Sequence, residues 1–291
     1  MSAILKETNI FETFEEVRYH HKHGIPPGKS TGWPGFDKLF KFAYYGSLNV
    51  MTGYPGSGKS EWLDSLALYC SITYKWKVFI YSPQNFPASF HVEKLIQKVS
   101  GKPFFHKFNG REKPSLDDIA FIEKHLAEYW TFVEADKQRV SIEMIMNTLH
   151  VRLKTQKIDM VIIDPWNVLQ AKKAPGQKDT EFIGEWLPVI EDFAREHNIQ
   201  FWLVSHPAKP GKTKGVLDVM TPYDIEDSRH WFDMSSNIFI ANRTWDDKIG
   251  NDNKTDIQVA KVKDGRYGHC GEHTFEYQPW CGNYIDSWRE G

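Results

Sequence analysis

The sequence predicts an α/β domain: a mostly parallel central sheet with helices on both faces and antiparallel strands at its C-terminal end. Three observations predict it. Short, continuously apolar runs alternate with segments whose apolar residues recur at helical spacing. One of these runs leads straight into a glycine-rich loop of fixed spacing, and the loop into a helix. The last fifty residues then change character, to strands joined by turns.

The elements follow in order. Residues 11–23 read as an amphipathic helix with Phe11, Phe14 and Val17 on one stripe. Gly24-Ile25-Pro26-Pro27-Gly28 breaks the chain, so residues 1–28 are expected to form a linker helix and linker, and residues 29–291 the main domain. His20, His21 and His23 read as a solvated polar helix end rather than a metal site. Ser47–Thr52 is a buried strand, and Glu61–Tyr69 lies in a helix. Lys77–Ser82 is a second strand, followed by a helix around Ser89–Val99. Ser115-Leu116-Asp117-Asp118 has the spacing of a capping box and opens a helix to about Tyr129. Then come a strand at Trp130–Glu134, a helix at Ile142–Leu153 and a strand at Asp159–Asp164. A helix at Phe182–Glu196 and a strand at Gln200–Ser205 follow. The terminal strands are expected at Asn237–Asn242, Asp256–Lys263, His273–Tyr277 and Asn283–Ser287.

Composition sets limits. With 291 residues the chain can bury a large core. A net charge of −2 gives no overall attraction for nucleic acid, so such contacts must come from local basic loops. Three cysteines, Cys70, Cys270 and Cys281, build no disulfide framework and suit a reducing compartment. Cys270-Gly271-Glu272-His273 with Cys281 lacks zinc-site spacing and reads as strand packing. No apolar run approaches the roughly 20 residues of a membrane span. The N-terminus has no signal-peptide core.

The chemistry gathers around Gly53-Tyr54-Pro55-Gly56-Ser57-Gly58-Lys59-Ser60, which fits G-x-x-x-x-G-K-[ST] at every fixed position. The glycines let backbone N–H groups turn toward a phosphate, and the helix N-terminus adds its positive end. Lys59 would reach the β- and γ-phosphates of ATP, and the Ser60 hydroxyl would take one Mg²⁺ position. The nucleotide-binding set is read as Gly53, Pro55, Gly56, Ser57, Gly58, Lys59, Ser60 and Glu61. Asp164 ends an apolar strand, where a carboxylate sits at the ligand edge of a parallel sheet and would complete the Mg²⁺ shell opposite Ser60. His206 ends the next strand and would face the γ-phosphate; the alternative is a satisfied core histidine. Gln84 stands after the second strand. An amide there orients water but cannot accept its proton as a carboxylate can.

Two Gly/Pro-containing loops behind these strand ends carry lysines: Lys172, Lys173 and Lys178 in the first, Lys209, Lys212 and Lys214 in the second. Such loops neutralise phosphates and would grip single-stranded nucleic acid without reading its sequence. The plainer reading is ordinary solvated lysines.

With these residues in place, the chain resembles the motor domain of hexameric replicative DNA helicases of the RecA fold, the DnaB-like and Twinkle-like enzymes. The resemblance spans about residues 25–287. It is carried by Ser30–Leu39, the phosphate loop with Glu61-Trp62-Leu63-Asp64, Ser82-Pro83-Gln84-Asn85, Ile163-Asp164-Pro165-Trp166-Asn167, Val204-Ser205-His206-Pro207, Tyr223-Asp224-Ile225 and Ser228-Arg229-His230-Trp231. It implies a RecA-like P-loop NTPase in which ATP with Mg²⁺ lies between subunits of a ring. In the family a catalytic glutamate stands where this chain has Gln84. A neighbour's basic fingers correspond to Lys261, Lys263 and Arg266. The family usually has arginine at position 263, and a lysine there loses the planar fork. A base sandwich corresponds to Arg243 and Tyr277. The channel loops that hold one DNA strand correspond to residues 171–178 and 207–220, and Arg229 is placed on the DNA-binding surface. Helix 11–23 corresponds to a linker helix that docks on the adjacent subunit. The function implied is an ATP-dependent 5′-to-3′ replicative DNA helicase motor, in the cytoplasm of a bacterial or phage-infected cell, with an organelle left open. Priming is expected of a separate primase chain or polymerase partner. The competing reading, raised by Gln84, is a hydrolysis-poor ATP- and DNA-binding module.

Overall fold

A computed structural model of the chain describes residues 8–104, 110–135, 140–169, 176–207, 212–213, 216–217, 220, 224–225, 228–243 and 253–286. Its strands in chain order are β1 (Ser47–Gly53), β2 (Val78–Tyr81), β3 (Trp130–Val133), β4 (Met160–Ile163), β5 (Gln200–Val204), β6 (Lys212–Thr213), β7 (Val216–Leu217), β8 (Asn237–Asn242), β9 (Lys254–Val262), β10 (Gly271–Gln278) and β11 (Asn283–Asp286). One nine-stranded sheet organises the fold, in the order β11-β10-β9-β8-β1-β5-β4-β2-β3. From β8 to β3 every pair is parallel; β9, β10 and β11 are antiparallel additions. The two-residue strands β6 and β7 pair only with each other.

The helices are α1 (Ile10–His23), α2 (Lys59–Tyr74), α3 (Ala88–Ser100), α4 (Leu116–Tyr129), α5 (Ile142–Leu153), α6 (Asp179–Glu196) and α7 (Ser228–Met234). Strand alternation splits the core into two layers. Met51, Val78, Ile80, Met160, Ile162, Trp202 and Phe239 face α2, α3 and α4. Leu48, Val50, Phe79, Val161, Ile163, Phe201 and Ile238 face α5, α6 and α7. Both sheet faces are covered, which is why the parallel strands read as unbroken apolar runs. Trp62, one turn into α2, stacks on Trp33 (ring centroids 5.3 Å apart) and meets Trp202 edge-on, so the helix that starts at the phosphate loop is pinned to the sheet.

The predicted elements appear with ends displaced by a few residues. The Ser115 capping box forms: its hydroxyl accepts from the Asp118 N–H, and Asp118 accepts from the Ser115 N–H. The terminal strands need one refinement. β8 pairs parallel with β1, so the antiparallel part begins only at β9. The cause is α7, which sequence patterning does not reveal: it returns the chain to the starting edge of the sheet before β8.

A buried carboxylate ties that starting edge together. Glu191 of α6 accepts from the Leu48 N–H (2.9 Å) and the Ser236 hydroxyl (2.6 Å), and pairs with Arg195 and Lys263. Glu191→Ala orphans two donors and loosens two cations. It should lower unfolding free energy by roughly 3 kcal/mol, measured by urea denaturation. Glu191→Gln should cost clearly less. A loss below roughly 1 kcal/mol for alanine would show that water replaces the carboxylate.

Candidate nucleotide site

The parallel strands β1, β2, β4, β5 and β8 all end at one edge, where ligands bind in open α/β sheets. The phosphate loop leaves β1 there and turns into α2. Gly58 has φ 92°, a left-handed conformation, and a Cβ on it would collide with the Tyr284 hydroxyl, which itself donates to the Gly58 carbonyl (3.2 Å). Gly53 is as tightly enclosed: a Cβ would meet the Ala241 carbonyl and the Ser57 hydroxyl. Lys59 is buried and lies across the loop, donating to the carbonyls of Gly53 (2.6 Å) and Tyr54 (3.0 Å). Burial lowers its pKa to about 8, against the raising effect of Asp164.

Asp164 lies at the tip of β4, two strands from β1, buried and hydrogen-bonded to Ser60. Burial raises its pKa. The Ser60 bond and the charges of Lys59 and His91 oppose that rise, while Asp64 adds to it. The Ser60–Asp164 pair is the oxygen pair suited to hold a Mg²⁺ ion. The Ser57 hydroxyl is buried without a partner, as are Asn242 Nδ2 and Arg243 Nε at the tip of β8. Orphaned donors of this kind fit a polar ligand between loop and β8.

His206 follows β5, the neighbour of β1. Its backbone N–H donates to Asn167 Oδ1 (2.8 Å), so the Asp-Pro-Trp-Asn segment holds the Ser-His-Pro segment in place. Burial first, then the charge of Lys59, pushes its pKa below the ordinary histidine value. Its Nδ1 is buried with no partner. Gln84 sits in a single 3-10 turn, Pro83–Asn85, and is exposed. Arg243 and Tyr277 come together, guanidinium over ring at 5.3 Å. Burial pushes the Tyr277 hydroxyl up to about 12. The Glu61 carboxylate points elsewhere, pairing with Lys94 (3.2 Å) and Lys98 (2.8 Å). Those two lysines outweigh burial and keep Glu61 below its ordinary value. Its side chain therefore joins α2 to α3, and only its place in the first turn of α2 remains beside the loop.

Lys261, Lys263 and Arg266 lie at the opposite end of the sheet. Lys263 N donates to the Ser236 carbonyl, and Ser236 N to the Leu48 carbonyl, at the start of β1. The phosphate loop begins at Gly53, about 17 Å further along that strand. Lys261 turns inward, its Nζ taken by the carbonyls of Phe232 and Ser235 at the end of α7. Lys263 faces Glu191 at 3.7 Å. Arg266 grips Asp264 through Nε (2.8 Å) and Nη2, and Tyr45 donates to the same carboxylate (2.5 Å).

Of the lysines read as DNA contacts, Lys172, Lys173, Lys209 and Lys214 lie outside the described residues, and Lys212 is described in its backbone alone. Lys178 is exposed at the start of α6, and Arg229 is exposed on α7, 3.6 Å from Asp233. Three partners escape sequence reasoning. Asp64 and His91 form a buried pair (2.9 Å) between α2 and α3, Tyr284 props the loop, and Asn167 orients His206. Only Asp64 carried a signal, since it stands one helical turn after Ser60.

The Lys59 pKa makes a stability prediction. Between about pH 8 and the ordinary lysine value of 10.5 the unfolded chain holds a proton that the folded chain releases, so this group makes stability rise with pH. The stability of the unaltered chain minus that of Lys59→Met should rise across this window in urea titrations. A flat difference would mean that Lys59 keeps its proton in the fold.

No family model matches the chain. A curated relative, the Twinkle homolog protein, chloroplastic/mitochondrial, of Arabidopsis thaliana, is 31% identical over 282 residues. The match covers 94% of this chain and 39% of that protein, so the chain spans about two fifths of the relative's length. Among solved structures, a helicase ATPase domain superposes with a TM-score of 0.79 at 17% identity, covering 97% of this chain and 99% of that one. A DnaB-like replicative helicase, described with its interactions with primase, gives 0.75 at 17% identity, covering 97% and 68%. At such identity these likenesses speak for the fold, which is that of RecA-like helicase ATPase domains. The sequence likeness and the fold agree: over nearly its whole length the chain matches a DnaB/Twinkle-like helicase domain.

Proposed function

We propose that this chain is an ATP-driven replicative DNA helicase motor that works as a ring of copies. ATP binds at the phosphate loop, the Ser60–Asp164 pair holds its Mg²⁺ ion, and a neighbouring copy completes the site. The observation that carries this reading is the placing of the two halves. The loop stands at one end of the sheet, and Lys263 and Arg266 stand at the other, too far away to serve their own loop. A head-to-tail contact between copies brings them together. Such contacts repeat around a ring when the rotation closes.

The amphipathic helix α1 supports the same reading. None of its residues is buried, and Phe11, Phe14 and Val17 are exposed. An apolar groove of about 400 Å³ opens between α3, α4 and β3, lined by Val92, Ile96, Ile119, Leu126, Trp130 and Phe132. We read α1 as the linker helix that seats in the groove of the next copy. Single-stranded DNA would pass through the channel along the lysine loops and Arg229, moving 5′ to 3′, with a separate primase or polymerase as partner. The free cysteines fit a reducing compartment such as the cytoplasm of a bacterial or phage-infected cell, while the name of the plant relative refers to chloroplast and mitochondrion. The base would lie at Arg243 and Tyr277, and a bound Mg²⁺ would neutralise charge on the phosphates.

A second reading rests on Gln84. Its exposed amide cannot take a proton from water, which favours a module that binds ATP and DNA but hydrolyses poorly.

Strand displacement on a forked duplex with MgATP tests the motor. Unwinding coupled to DNA-stimulated hydrolysis is the expected result; tight ATP binding with neither activity would favour the second reading. Subunit mixing tests the shared site. Lys59→Ala and Lys263→Ala/Arg266→Ala should each be inactive alone. Mixed in equal amounts they should regain hydrolysis at about a quarter of the sites, the share that pairs an intact loop with intact fingers. No recovery on mixing would place the fingers outside the neighbour's site.

A further inference from the structure

We infer that His206 is the proton acceptor for the attacking water, with Gln84 only orienting that water. The inference rests on the hydrolytic reading above and asks which group does what the amide cannot.

The described residues at the ligand edge offer few bases. Asp164 is occupied by Ser60 and by its place as a metal ligand. Asp64 is held by both oxygens on His91 Nε2, at 2.9 and 3.0 Å. Glu61 is paired with Lys94 and Lys98. Glu134, after the tip of β3, accepts the Ala88 N–H at the start of α3, and its strand lies four places from β1, about 19 Å away. His206 differs on each point. Its strand adjoins β1, and the pairing of Met51 with Val204 carries on to set His206 beside Gly53, where the loop begins. Its backbone is fixed by the Asn167 side chain on one side and by the bridge from Pro207 to Ile225 on the other. Its Nδ1 is shielded from water and meets no partner among the described residues.

The ring is also in the right state. Lys59 is the charged group that acts on it, and this charge adds to burial in favouring neutral imidazole. A neutral ring has one nitrogen with a free lone pair. The bonds balance simply. The water oxygen bonds to the γ-phosphorus, and the β–γ bridging P–O bond breaks with its electron pair going to the β-phosphate. The water proton moves to the unprotonated imidazole nitrogen, and the imidazolium returns it to bulk water after phosphate leaves.

The test combines binding, pH and a ring spectrum. In the unaltered chain, DNA-stimulated kcat should fall tenfold per pH unit below a pKa under 6.5 and be flat above it. The ¹⁵N-edited histidine spectrum should show His206 titrating at the same value. His206→Asn and His206→Gln should lower kcat by about 10²- to 10³-fold, within the range of general-base catalysis, and leave fluorescent-ATP affinity within about threefold. Gln84→Glu placed on His206→Asn should restore hydrolysis with a carboxylate-like pH profile. The inference is overturned if either His206 variant keeps both the rate and the pH limb, or if the unaltered chain binds ATP and hydrolyses none. Failure to bind ATP at all would instead overturn the nucleotide-site reading beneath it.

Discussion

A line of buried amides fixes how the central strands meet. Asn237 of β8 donates to Asn49 Oδ1 of β1 at 2.8 Å; Asn49 Nδ2 lies 3.3 Å from Gln200 Oε1 of β5, which also accepts from the Ser47 hydroxyl at 2.8 Å. The Gln200 amide donates onward to the Tyr45 carbonyl. All four polar side chains are buried in a sheet whose two faces are otherwise apolar. Apolar packing tolerates a slipped strand more readily than hydrogen bonding does. A slip of one residue would leave these amides unpaired in a medium of low polarity. The seam lies at the starting edge of the sheet, yet its effect is felt at the other end, because register set at Asn49 and Gln200 decides which residues follow each strand at the ligand edge.

Lys98 does a comparable service for the helices. Its side chain is almost wholly buried and meets the Glu61 carboxylate, the Ser65 hydroxyl and the Gly282 carbonyl. It thus joins α2, α3 and the turn between β10 and β11. The same turn leads to Tyr284, which touches Gly58. Loop geometry therefore depends on a hairpin 226 positions away in sequence.

Much of this was legible in the chain, and the reason is physical. The phosphate loop is local: fixed spacing, a preceding apolar strand and a following helix lie together in one short stretch, and Asp164 and His206 announce themselves as polar residues ending apolar strands. The capping box at Ser115 was equally readable. The rest depends on pairing at a distance. The Asp64–His91 pair joins two helices, Tyr284 meets Gly58 from the far end of the chain, and Glu61 proves to be an ion-pair partner of Lys94 and Lys98. Single-sequence periodicity carries no trace of such partners. The short helix α7 escaped for a different reason: with 7 residues it is too short for periodicity to stand out.

The distance between the phosphate loop and the Lys263–Arg266 turn has a genetic consequence. On the ring reading each copy contributes to two sites, one through its loop and one through its turn. A copy damaged at one end still assembles and spoils a site whose other half is sound. Alleles altered at the loop or at the turn would then interfere with the normal gene product when both are expressed, whereas alleles that simply prevent folding would be recessive.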